Sequence, residues 1–196
     1  MVSRPAYIVF YQEDAGILEL HRQMLGDRAM NHVVYTHYTA EVLAEVIANP
    51  VDLVVAGEAY YRDSAKARLR LALALEKARS SGNKYVGLPG DRIRGCTHLS
   101  QLIYNVDPRV LVIRYSGFGP LPPRGGYPPP SEDRLEWPDR VVGEVPKPSP
   151  ADGILGLFDS PSLAEIIRDR DWMRLRRTHP RVHFYATLER DHGFRV

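Results

Sequence analysis

Short runs of consecutive apolar residues alternate along this chain with longer stretches in which apolar residues recur every three or four positions. The runs are Ala6 to Tyr11, His32 to Thr36, Val51 to Ala56, Lys84 to Leu88 and Arg109 to Arg114. Continuous rather than alternating apolar character is the pattern of strands buried on both faces of a parallel sheet. Between them, Ile17, Leu20, His21, Met24 and Leu25 share one helical stripe that stops near Gly26. Thr39 opens a second helix carrying Val42, Leu43, Val46 and Ile47, which ends at Asn49-Pro50. A long third helix is predicted from Asp63 or Ser64 to Ser80 and stops at Ser81-Gly82-Asn83, and Thr97 caps a short fourth with Leu99, Leu102 and Ile103. A β-α order repeated in this way, with short connections, predicts an α/β fold with a doubly wound, five-stranded parallel sheet.

The pattern then changes. Ten of the sixteen prolines lie between Gly117 and Pro150, so this stretch is expected to be an extended loop or linker, with Val141 to Val145 as a short strand candidate inside it. Beyond it, Ser162 with Glu165 three residues on reads as a capping box for a helix to Arg177, followed by a last strand over Val182 to Leu188 and a frayed end from Glu189. The domain reading is 1–116 for the α/β unit, 117–150 for the proline-rich insertion, and 151–196 for a C-terminal helix extension packed on the same domain.

Composition changes this picture little. A chain of 196 residues with 44% hydrophobic and 26% charged residues is ordinary for a globular protein, and a net charge of +2 does not by itself imply a polyanionic partner. The single cysteine, Cys96, fits a reducing compartment, and no apolar run reaches the length of a membrane helix, so the expected location is the cytoplasm. Arg168, Arg170, Arg174, Arg176, Arg177 and Arg181 make the C-terminal helix basic. Glu165, Asp169 and Asp171 are interleaved at helical spacing, which argues for ion-paired solvent faces rather than a nucleic-acid interface.

Three passages resemble the receiver domain of bacterial response regulators. Tyr7-Ile8-Val9-Phe10-Tyr11-Gln12-Glu13-Asp14 with the helix after it is similar to the family's first strand, acidic turn and first helix. Asn49-Pro50-Val51-Asp52-Leu53-Val54-Val55-Ala56-Gly57 is similar to the third strand that leads to the phosphorylated aspartate, and Ala78 to Gly90 to the end of the third helix and the fourth strand. The resemblance implies a flavodoxin-like fold over about Ala6 to Ser116. It also implies a phosphorylation pocket, which is degenerate here: Gln12 replaces one member of the acidic pair while Glu13 keeps the other, Gly57 stands at the acceptor, Pro89 at the hydroxyl position and Arg114 near the lysine. Glycine cannot accept a phosphoryl group, and Mg²⁺ requires hard oxygen ligands. A second register pairs Leu111 to Ser116 with the family's fourth strand and Val145 to Pro148 with the lysine-proline end of the fifth. It recovers Ser116 and Lys147 at the cost of two insertions and still leaves Gly57 without a carboxylate.

The resemblance with these departures points to a non-enzymatic, pseudo-receiver-like regulatory module acting through contacts with another protein or with a second copy of itself, without metal or cofactor. Ile166, Ile167, Trp172 and Met173 are the candidate interaction face, set against the plainer reading that this helix covers the sheet. The competing reading is a small enzyme that binds a nucleotide-like or phosphorylated ligand at the carboxyl edge of the sheet, using Glu58, Tyr60 and Glu13.

Overall fold

Two-sided burial of its strands dictates the architecture. In the computed structural model, which describes residues 4–25, 30–57, 63–82, 96–116, 140–146 and 154–195, the chain runs β1 (Tyr7–Tyr11), α1 (Ala15–Leu25), β2 (His32–Thr36), α2 (Thr39–Ala48), β3 (Leu53–Gly57) and α3 (Ala65–Ser80). It continues with α4 (Cys96–Val106), β4 (Leu111–Ser116), β5 (Gly143–Pro146), α5 (Ile154–Phe158), α6 (Leu163–Asp169), α7 (Trp172–Thr178), β6 (His183–Phe184) and α8 (Thr187–His192). The sheet order is β2-β1-β3-β4-β5-β6, with β1 to β5 parallel and β6 antiparallel to β5. The doubly wound parallel sheet predicted from the apolar runs is present, extended by a sixth, short strand.

Alternating residues of the central strands feed two cores, as the strand period of two requires. Ile8, Phe10, Leu53, Val55, Leu111 and Ile113 pack under α1 and the C-terminal helices α5 to α8, with Phe158, Ile166, Trp172 and Leu188 among the covering residues. Val9, Tyr11, Val54, Ala56 and Val112 pack under α2 and α4 through Val42, Leu43, Leu99 and Ile103. Asn31 joins the two ends of the chain: its Oδ1 accepts from Ala6 N at 2.8 Å, and its Nδ2 donates to Phe158 O and Ser160 O at 2.9 Å each.

Several sequence expectations are corrected. The strand placed next to β3 is Leu111–Ser116, so the second register describes the sheet and Arg114 belongs to β4 rather than to the strand that carries the family's lysine. The candidate strand Lys84 to Leu88 lies outside the described residues. The 1–116 boundary falls inside the sheet, because β5 comes from the segment read as linker and residues 154–195 pack on the same sheet.

The expected long C-terminal helix is two helices. Arg170 adopts a left-handed conformation (φ 55°) at the end of α6, and Asp171 caps α7 by accepting from Arg174 N at 2.9 Å, while Ser162 makes no side-chain cap. The last strand is only two residues long. Leu188 enters the core from a helix instead, and the terminus is held by buried Phe194 and by a bridge between Asp171 and Arg195. On α1, Leu20 and Met24 point outward, and His21 and Leu25 carry the buried stripe.

The layer of α2 and α3 is tied to β1 by a buried carboxylate. Glu45 accepts from Tyr7 OH at 2.6 Å and Asn49 Nδ2 at 2.6 Å, and it pairs with the Arg70 guanidinium. Burial, then the Glu45 hydrogen bond, push the Tyr7 phenol above its ordinary range. Glu45→Ala leaves the Tyr7 hydroxyl without its acceptor, and half-exposed Arg70 returns to water; the expected loss is about 2 kcal/mol in urea denaturation, with an unchanged m-value.

Candidate functional site

The carboxyl ends of β1 and β3 lie side by side, with Tyr11 in register with Ala56. Past β1 the chain turns through Gln12, which is fully buried and whose backbone N–H donates to Thr36 O at 3.1 Å, so β2 holds the turn in place. Asp14 then caps α1: its Oδ1 accepts from Gly16 N at 2.7 Å and Ile17 N at 3.1 Å. Of the two acids that follow Gln12, Asp14 thus supplies the cap. Its neighbour Glu13 turns the other way, over Gly57.

That contact is the defining feature of the site. A Cβ built on Gly57 would lie 2.1 Å from Glu13 Oε2 and 2.9 Å from Gln12 Oε1, separations that real side chains do not reach. The volume at the tip of β3 is thus filled by the side chains of the β1–α1 turn. The sequence departures at 12 and 57 belong to one spatial arrangement with Glu13, in which a carboxylate from the turn after β1 stands over the bare Cα of Gly57.

The remaining candidates disperse. Arg114 is buried on the opposite face of the sheet from the core under α1, in register with Ala56 and Glu144, and its Nη2 donates to Thr97 Oγ1 at 3.3 Å. Glu144, which the sequence reading did not single out, is buried on β5 and accepts from Tyr185 OH at 2.6 Å. Tyr115 shares the register of Gly57, and its hydroxyl is 3.4 Å from His21 Nε2. Glu58, Tyr60 and Pro89 lie outside the described residues. Ile166, Ile167 and Trp172 are buried against the sheet and Met173 alone of that set is exposed, so the plainer sheet-covering role replaces the interaction face.

Mg²⁺ does not fit the described donor set. Asp14 caps α1, Asp63 caps α2 by accepting from Ala40 N at 2.9 Å and Thr39 Oγ1 at 3.0 Å, and Glu13 lies beside the neutral amide of Gln12. Among the described residues, no group of three or more potential metal ligands occurs.

Displacing Glu13 tests the arrangement. Gly57→Ala is expected to push the Glu13 carboxylate outward and cost about 1 kcal/mol. Glu13→Ala in the same chain is expected to recover most of that loss, so a double-mutant cycle by chemical denaturation reads a coupling of about 1 kcal/mol, where independent sites would read none.

No family model and no curated protein matches this sequence. Among solved structures, the chain is similar to the signal receiver domain of an HD domain-containing protein from Pseudomonas fluorescens Pf-5, at 14% identity and a TM-score of 0.50, over 85% of this chain and 99% of that one. It is also similar to a response regulator receiver domain protein from Clostridium thermocellum, at 16% identity and a TM-score of 0.44, over 87% and 98%. At such identity the likeness concerns the fold, and with the sheet order and helix layers above it gives this chain a receiver-like α/β fold.

Proposed function

We propose that this protein is a pseudo-receiver signalling module whose acceptor position is permanently filled from within. The observation that carries the reading is Glu13 Oε2 lying 2.1 Å from where the first atom of an acceptor side chain would stand at position 57. Phosphorylation of a receiver places negative charge at the carboxyl edge of the central strand and redistributes the surrounding surfaces. Here a carboxylate already occupies that edge, its position set by the buried Gln12 turn and by the Asp14 cap on the residue after it. The output is therefore constitutive and passes through surface contacts with another protein or a second copy of this chain.

The exposed apolar residues support such contacts. Leu69 and Leu73 lie one helical turn apart on α3 with about 60% exposure, and Leu20 and Met24 repeat the spacing on α1. The expected result of incubation with a small phosphodonor and Mg²⁺ is no phosphoprotein by intact mass and no change in sedimentation. Stoichiometric labelling on any residue of the carboxyl edge overturns the reading.

A further inference from the structure

The opposite, amino edge of the sheet holds a cleft of about 240 Å³. It is formed where the chain enters β1, β3 and β4 and where α6 and α8 end, and its polar lining includes Arg4, Asp52, Arg109, Arg168, Arg170 and His192. The two carboxylates that line the cleft are already paired. Asp52 accepts from Arg4 Nη1 at 2.9 Å and Nη2 at 2.7 Å, and Asp107 accepts from Arg109 Nε at 2.9 Å and Nη2 at 2.7 Å. Arg168 uses only its Nε, toward exposed Asp169. Arg170 has no ion pair among the described residues and adds uncompensated positive charge.

Two features show that this edge is built rather than merely basic. Arg170 is the only non-glycine described residue at positive φ, a conformation that costs an ordinary side chain about 1 kcal/mol relative to glycine. Its backbone is held there on both sides: its N–H donates to Ile166 O and Ile167 O, and its carbonyl accepts from Arg195 N at 3.2 Å. The side chain extends over Gly193, where a Cβ would lie 2.9 Å from Arg170 Nη1, so glycine in a left-handed turn (φ 64°) lets the guanidinium settle beside His192. The second feature is His192 itself. It is only 6% exposed, it lines the cleft, and neither ring nitrogen makes a hydrogen bond of acceptable geometry. The Tyr104 ring meets it edge to face at 5.8 Å and fixes its plane. Burial lowers the basicity of the imidazole, against the pull of the nearby Pro108 carbonyl and Asp191.

We propose that this cleft is an anion site for a phosphate-class ligand, with Arg170 and Arg168 gripping the oxygens beside the His192 ring. Guanidinium forks match phosphoryl oxygens bidentately, and a cleft just below the usual 300 to 1,000 Å³ of small-molecule pockets suits a small phosphorylated ligand. The site lies at the other end of the strands from Glu13, so it stands or falls independently of the pseudo-receiver reading.

The test is titration of the full chain with inorganic phosphate at constant ionic strength, with chloride as the control, following the His192 ring signals by NMR and thermal stability in parallel. The expected result is a saturable movement of the His192 signals in phosphate and not in chloride, with a matching rise in melting temperature. Arg170→Gly removes an exposed side chain and relieves the positive φ, so it is expected to melt no lower than the native chain while binding phosphate roughly tenfold more weakly. Glycerol phosphate separates the two sources of the ligand: tighter binding than phosphate assigns a small phosphate monoester, and weaker binding assigns the free ion. Static His192 signals in phosphate, or undiminished binding by Arg170→Gly, overturn the proposal.

Discussion

A parallel sheet must be covered on both faces, because each of its strands is apolar on both sides and leaves no face that water can accept. In this chain the requirement is met asymmetrically. α2 and α4, contributed between β2 and β4, cover one face, while α1 has to be joined by α5 to α8 from the far end of the sequence to cover the other. Asn31 makes that late closure specific by binding the first strand and the end of α5 through one buried amide. The same two-sided cover leaves only the strand edges open, which is why both places with chemical character lie there: Glu13 and Gly57 at the carboxyl edge, Arg170 and His192 at the amino edge.

At the carboxyl edge Gly57 leaves room at the tip of β3, and Glu13 from the turn after β1 folds into it. In the proposed reading, this acid takes the place above the central strand that a receiver's phosphoryl group would fill. Among the described residues, Asp14 and Asp63 at this edge are engaged with helix N-termini, which stabilises α1 and α2.

Much of this was legible in the sequence. The apolar runs of β1 and β3 and the stripes of α2 and α4 needed only periodicity, because buried strands and half-buried helices impose those patterns directly. The break at Arg170 was hidden, since arginine carries no signal for positive φ. The Asp171 cap was visible only as one acid among several, and the apparent capping box at Ser162 competed with it. Val182 to Leu188 read as a strand because burial from a short strand and burial from a helix leave similar apolar runs. Gly57 was legible as a missing acceptor. That Glu13 occupies its place was not, because the two meet only when β1 and β3 pair, and Glu144 beside Arg114 was hidden for the same reason.

The most direct measurement is the proximity of the Glu13 side chain to Gly57 in solution. Isotope-labelled protein should give strong nuclear Overhauser contacts between the Glu13 Hγ and Gly57 Hα protons, unchanged when a phosphodonor and Mg²⁺ are added. A Glu13 side chain that shows no contact with Gly57 and shifts on addition of Mg²⁺ would contradict a receiver-like fold whose acceptor position is filled from within.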